Sequence, residues 1–519
     1  MARRGRKLAR MANRVRVRTA ATTLAVLVGA CLAIAISAPA GSGATTATGT
    51  IGATTNATEG GVGALANDWP TFDYNTQRSG VGPADTGITA ANVHRLKRIT
   101  VGIPGVIDSA MIELSDVKIG SRTYDVLIGT TSYGDTLALN AANGHTLWQF
   151  FPAADRALQG SAQFTTATPV ADPGGQYVYV ATPDGFVQKL SVSDGHQLWR
   201  TRMTYLPTHE KLAGSLNVAD GELIVVTDGY YGDAPPYQGH VVTLNMVNGR
   251  VTHVFNTLCS NVTRIIKDPG SCQGSDSAIW GRPGSVVEPN GDILVTTGNG
   301  PFNGHTDWGD SVLELSPTLK LLHNWTPTNQ EELNQRDWDL GSTEPALLPV
   351  KSGAPLAVQG GKEGDLRLLD LNKLDGSHAP AGSRTGGQLQ SVSGPGPTDI
   401  YSQPAVWTSA SGKIYVFVTD GAGTAAYTLS HRRLRLAWHD NTPGTSPVVA
   451  GGLLYSYNLG QGQLDIRNPL SGHLYIALPA NQGHWNSPIV IGGRIVLPEG
   501  NDNAHPTKGT IDIYHLPGD

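Results

Sequence analysis

GDTLALNAANGHTLWQF, residues 134–150, is matched fifty residues on by DGFVQKLSVSDGHQLWR, residues 184–200. Each copy opens on a Gly/Asp turn and runs through a short alternating strand. A second turn follows, then a strand ending in Leu-Trp. Weaker copies are GHVVTLNMVNGRVTHVF (239–255), GDSVLELSPTLKLLHNW (309–325), EGDLRLLDLNKLDG (363–376), GTAAYTLSHRRLRLAWHD (423–440) and GQLDIRNPLSGHLYIAL (462–478). An eighth, GTIDIYHL (509–516), lacks its second strand. The glycines nearest the first strands, from Gly134 to Gly509, are spaced about 54 residues apart on average, the period of a repeat architecture. Most copies follow another strand pair, such as TATPVAD with QYVYVAT (166–182) or TSPVVA with LLYSYN (445–458). Four short strands per repeat make one propeller blade. A single blade cannot bury both faces of its sheet, so neighbours must cover each other and a ring leaves no end exposed.

The expected fold is therefore all-β: an eight-bladed β-propeller of four antiparallel strands per blade, with seven blades as the fallback. Trp148, Trp199, Trp325 and Trp438 should pack between blades. The outer strand missing from the eighth copy should come from Arg95–Val101 (RLKRITV), closing the ring by pairing the two ends of the propeller.

Composition agrees. The 519 residues include 64 Gly and 32 Pro without a collagen period, and only 15% are charged, too few for a disordered chain. Residues 1–40 carry eight Lys/Arg and no acid, leaving 29 basic against 42 acidic residues beyond them. A body at −13 argues against a nucleic-acid partner. After the basic run comes an apolar stretch from Thr19 to Ser37 and then Ala38-Pro39-Ala40, the pattern of a cleaved signal peptide spanning 1–40. The stretch is nearly long enough to serve instead as an uncleaved membrane anchor. A lipoprotein site at Cys31 and twin-arginine export through Arg3-Arg4 fit less well. Residues 41–66, rich in Gly, Ala and Thr, read as a linker, and 67–519 as the propeller. A secreted or otherwise extracytoplasmic location follows. In that setting Cys259 and Cys272 are expected to form a disulfide, the alternative being two buried thiols. No C-x-x-C-H is present, so no covalently bound haem is expected.

The pattern L-x-x-A/S-x-x-G-x-x-L-W resembles the pyrroloquinoline-quinone (PQQ) repeat of quinoprotein dehydrogenase-like propellers. Asp68-Trp69-Pro70-Thr71-Phe72, Asn75-Thr76-Gln77-Arg78-Ser79-Gly80 and Asn92-Val93-His94-Arg95-Leu96-Lys97 resemble that family's N-terminal segment. The likeness covers nearly all of 67–516. For catalytic members it implies PQQ held by calcium, an Asp as base and a Lys or Arg at the quinone oxygens. TTGNGPFNG (296–304) resembles the stretch with the calcium-ligand Asn, here Asn299. RDWDLGSTEP (336–345) resembles the Trp-Asp motif, with Asp339 as base and metal neighbour and Trp338 beside the cofactor. GGKEGDLRLLD (360–370) resembles the segment with the basic residue, here Lys362.

Two departures stand against this. The calcium-ligand Glu falls within TDGYYGD (227–233) at Tyr230, a poor ligand for a hard cation; Asp228 or Asp233 would have to replace it. The vicinal Cys-Cys pair of many alcohol dehydrogenases is absent. Other site classes are poorly served: there is no G-x-S-x-G elbow and no H-E-x-x-H. His431, His439, His473, His484, His505 and His515 read as solvated loop histidines. Two functions remain. One is a binding or vestigial quinoprotein scaffold of the cell envelope, facing a protein or glycan partner. The other is a PQQ- and calcium-dependent dehydrogenase of an alcohol or sugar hydroxyl, passing electrons to a separate acceptor. Convergence of Asn299, Asp339 and Lys362 on one mouth of the channel is what the second requires.

Overall fold

The computed structural model describes residues 67–272, 274–350, 353–375 and 384–518. The expected signal peptide or anchor and the linker lie outside the described residues. No helix among the latter is long and apolar enough to cross a membrane.

Eight four-stranded antiparallel sheets follow one another along the described chain. Blade 1 spans 112–150, blade 2 170–202, blade 3 217–256, blade 4 286–325, blade 5 346–393, blade 6 405–440 and blade 7 448–479. Blade 8 takes three strands from 489–515 and its outermost from Lys97–Ile103. That strand pairs antiparallel with Gly509–His515, Lys97 opposite His515 and Ile103 opposite Gly509. The closing strand thus lies two residues further along than expected. Arg98 bonds Asp512 at 2.7 Å, and the Thr100 hydroxyl donates to the same carboxylate at 2.7 Å.

Apolar side chains cluster between neighbouring blades, as the repeat demands. Trp148 packs with Val178, Val180, Leu190 and Val192 of blade 2, and Trp325 with Leu369, Leu371 and Leu374 of blade 5. Three indoles also donate to a carbonyl of the next blade: Trp148 to Val192 (2.7 Å), Trp199 to Met246 (3.3 Å) and Trp438 to Pro469 (2.9 Å). The repeat's turn glycine exists for this contact. A Cβ on Gly195 would stand 2.6 Å from Trp148, and one on Gly472 2.7 Å from Trp438. Blade 8 has no such Trp. Its closing strand puts Val101 there, so near that a Cβ on Gly144 would be 2.2 Å from it. Gly144 also has φ +72°. Gly144→Ala is expected to cost about 1–3 kcal/mol in urea unfolding, through overpacking and backbone strain. Adding Val101→Ala should relieve the clash but not the strained φ.

Residues 68–82 cross the axis of the ring. Trp69 exchanges backbone hydrogen bonds with Glu113 of blade 1, and the Pro70 carbonyl accepts from Ala171 of blade 2. The Thr76 carbonyl accepts from the Asn217 amide of blade 3 and from Val287 N–H of blade 4. Ser79 accepts from Val406 of blade 6, while Gly80 and Gly82 bond Val449 of blade 7. Arg78, wholly buried, donates to Thr71 Oγ1 (2.6 Å) and to the carbonyls of Phe72 (2.9 Å), Leu216 (2.9 Å), Ser285 (3.2 Å) and Ser215 (3.4 Å). This segment is the floor of the channel.

Between blades 3 and 4, Cys259 and Cys272 form the expected disulfide, with Cα atoms 5.8 Å apart.

Candidate functional site at the channel mouth

The connections entering the inner strands meet above this floor, around a cavity of about 540 Å³. One side carries the residues expected from sequence. Asp339 follows the short helix Gln330–Arg336, which ends at Asp337 in a left-handed conformation. The Asp339 carboxyl is buried. One oxygen accepts from the Asn299 backbone N–H at 2.7 Å, and the other lies 2.5 Å from Lys362 Nζ. The Asn299 amide donates to Asp337 at 3.0 Å, which also faces Lys362 at 3.5 Å. Burial raises the Asp339 pKa, with Lys362 opposing. Burial draws Lys362 down, but Asp339 and then Asp337 overcome it and hold the ammonium above its usual range. Close approach depends on Gly298, where a Cβ would be 2.2 Å from Asp339 Oδ1 and 2.7 Å from the Trp280 ring. Asn299, Asp339 and Lys362 therefore meet at one mouth, though 63 residues separate the first from the last.

Trp338 does not line the cavity. Its N–H closes the helix onto the Leu333 carbonyl, and its ring packs on the core between blades 4 and 5, with Arg336 4.6 Å above it. The cofactor-side position expected of Trp338 is corrected accordingly; the indole in the wall belongs to Trp280.

The far side of the mouth was not read from sequence. Asp108 accepts from His484 Nδ1 (2.7 Å) and from the N–H groups of Trp485 (2.7 Å) and Asp502 (3.1 Å). Burial alone would raise the Asp108 pKa, but His484 and Arg282 hold it below its usual value. His484 is thus a wall residue fixed by a carboxylate rather than a solvated loop histidine. Lys211 Nζ stands 3.8 Å from Asp228 and 5.0 Å from the Phe164 ring centre. Arg282 lies 5.4 Å from Trp485, which packs on Tyr401 at 4.9 Å. All of these side chains but Asp228 occupy the same place in their repeats as Asp339, just before an inner strand. Aligning the connections rather than the strands would have exposed them.

The donors do not fit a calcium ion, which takes six to eight oxygens. Tyr230 turns its hydroxyl to the Pro207 carbonyl at 2.9 Å, Asp233 accepts from Tyr237, and Asp228 faces Lys211. Both Asp339 oxygens are engaged, leaving Asn299 Oδ1 as a buried oxygen without a partner. Among the described residues no group of three His, Cys, Asp or Glu side chains is placed to hold a metal.

A family model described as outer membrane protein assembly factor BamB, of the PQQ-like repeat type, matches residues 133–302. Quinohemoprotein alcohol dehydrogenase ADH IIB of Pseudomonas putida is 25% identical over 272 residues. The chain is an eight-bladed β-propeller in which residues 133–302 match the PQQ-like repeat model. The stretch that this propeller shares with the Pseudomonas enzyme is 47% of its own length and 38% of the enzyme's. Among solved structures, quinohemoprotein alcohol dehydrogenase from Comamonas testosteroni overlays with a TM-score of 0.62 at 14% identity, over 88% of this chain and 82% of that one. A europium-containing methanol dehydrogenase overlays with a TM-score of 0.64 at 14% identity, over 87% and 99%. At that identity the overlays speak for the fold of this propeller alone.

Proposed function

We propose that this propeller is an extracytoplasmic binding protein of the cell envelope, in which the quinoprotein frame survives without its calcium site. Its mouth takes a sugar unit of a glycan. One observation carries this reading: Lys362 and the Asn299 N–H occupy both oxygens of Asp339, so the carboxylate that would serve a metal is tied to the protein's own cation. Around it, Trp280, Trp485, Tyr401 and Phe164 supply apolar faces, and Asp337, Asn503 and Ser342 supply polar groups. Aromatic faces with a few convergent polar groups suit a hydroxylated ring. The basic N-terminus followed by an apolar stretch supports export.

The second reading is a PQQ- and calcium-dependent dehydrogenase with Asp339 as base, delivering electrons to a separate acceptor. The meeting of Asn299, Asp339 and Lys362 at one mouth favours it, as does the likeness to a quinohemoprotein alcohol dehydrogenase.

Calorimetric titration of the chain from residue 67 with PQQ, with and without calcium, separates the two. We expect no calcium-dependent binding. Saturable binding that requires calcium and is lost in Asp339→Ala or Asn299→Ala would replace the first reading with the second.

A further inference from the structure

The side of the mouth opposite Asp339 holds a guanidinium with nothing to bond. Among the described residues Arg282 makes no side-chain hydrogen bond and no ion pair, and its Nη1 is buried without a partner. An arginine carries five N–H donors in a planar fork, and burying them unpaired is costly. Asp108, Asp502 and Asp228 face it as opposing charges, but among the described residues none of them hydrogen-bonds it. Asp108 is bonded to His484 and to two backbone N–H groups. Asp502 accepts from the Ser132 hydroxyl through one oxygen, and its other oxygen is buried without a partner. Asp228 lies beside Lys211, 3.8 Å away and too far for a hydrogen bond. Burial raises Asp228 and Asp502 and lowers Lys211, each against the opposing charges beside it. Lys211 opens into the same space. Arg282, with no side-chain hydrogen bond, and Lys211, paired loosely with Asp228, therefore share a wall, and Trp485 backs the guanidinium.

We propose that Arg282, with Lys211 beside it, is a carboxylate-binding subsite, so that the sugar taken by the mouth is an acidic one, a uronate. This rests on the reading of the mouth as a sugar site. The guanidinium fork matches a carboxylate through two parallel N–H···O bonds, which a neutral sugar cannot return. The ring then lies toward Trp280, with its hydroxyls toward Asp339 and Lys362.

The test is calorimetric titration of the wild-type chain, Arg282→Gln and Arg282→Lys with D-glucuronate, D-glucose, and PQQ without calcium. PQQ serves there as a carboxylate-rich probe unrelated to sugars. Among the described residues the Arg282 side chain makes no hydrogen bond, so both variants should melt close to the wild type. We expect glucuronate to bind at least tenfold more tightly than glucose. Arg282→Gln should lower glucuronate affinity at least tenfold while leaving glucose within twofold, and Arg282→Lys should recover part of the loss. Equal affinity for the two sugars, or a glucuronate preference that survives in Arg282→Gln, overturns the subsite and leaves the sugar reading standing. If neither sugar binds but PQQ does, and Arg282→Gln weakens it tenfold, the subsite stands and the sugar reading falls. If no probe binds, both fall.

Discussion

Arg78→Ala is expected to lower the free energy of unfolding by about 3–5 kcal/mol, the range for breaking a buried charged network. The guanidinium is the hub of the channel floor. It ties Thr71 and Phe72 of the crossing segment to carbonyls just ahead of blades 3 and 4. Its removal would leave the Phe72 and Ser215 carbonyls without a donor in a dry place, each such loss costing about 1–3 kcal/mol, while Ser285 keeps the Asn217 amide. Asp73, also buried and without a hydrogen bond to either oxygen, would lose the nearest opposing charge. Burial already draws Arg78 down to about 9, with Asp73 and Glu344 pulling the other way. Arg78→Lys should recover little, since one ammonium cannot reach five acceptors spread over three chain segments. Guanidinium chloride unfolding followed by tryptophan fluorescence measures this; a loss under 1 kcal/mol would mean the floor is not held through Arg78.

The second large effect concerns a buried ion pair under the mouth. His240, fully buried, points Nε2 at Glu210 (3.1 Å) and Nδ1 at Asn256 Oδ1 (2.7 Å). The Asn256 amide is oriented by donating to the Val262 and Arg264 carbonyls, so its oxygen must accept. Both ring nitrogens thus face acceptors, and only the imidazolium satisfies both. Burial opposes the charge, but Glu210 and these hydrogen bonds hold the pKa above its ordinary value. His240→Ala is expected to cost about 3–5 kcal/mol, because Glu210 would remain buried without its cation. The sign with pH is definite. A pKa raised on folding stabilises fully below the unfolded value, about 6.5, and the contribution fades as pH climbs through the folded one. The stability gap between wild type and His240→Gln should therefore be wider at pH 6 than at pH 9. A gap that is constant, or grows with pH, would mean the ring is neutral in the fold.

The repeat was legible because it is written eight times. The glycine turns, alternating strands and Leu-Trp ends each state one local rule, and blade packing applies it again at every interface. Even the incomplete eighth copy, GTIDIYHL, pointed to its missing strand, displaced only from Arg95–Val101 to Lys97–Ile103. The Asn299, Asp339 and Lys362 cluster was legible through motif likeness. Trp338 was misplaced because a residue adjacent to Asp339 in sequence sits at a helix end and turns into the core. Lys211, Arg282, Asp108 and His484 were not legible from the strand repeat, since they sit in the connections between blades and meet only where four distant ones converge. The role of Arg78 was hidden for the same reason: its partners Leu216 and Ser285 lie 138 and 207 residues away.

The crossing segment 68–82 makes the propeller a cup rather than a tube. Whatever enters the mouth must leave by it, and nothing can be threaded through. A linear polymer can offer such a vessel only a terminus. On the proposed sugar reading, glycan bound per mass should then scale with the number of free ends rather than with chain length, so trimming long chains into short ones would multiply the sites seen without adding a single sugar.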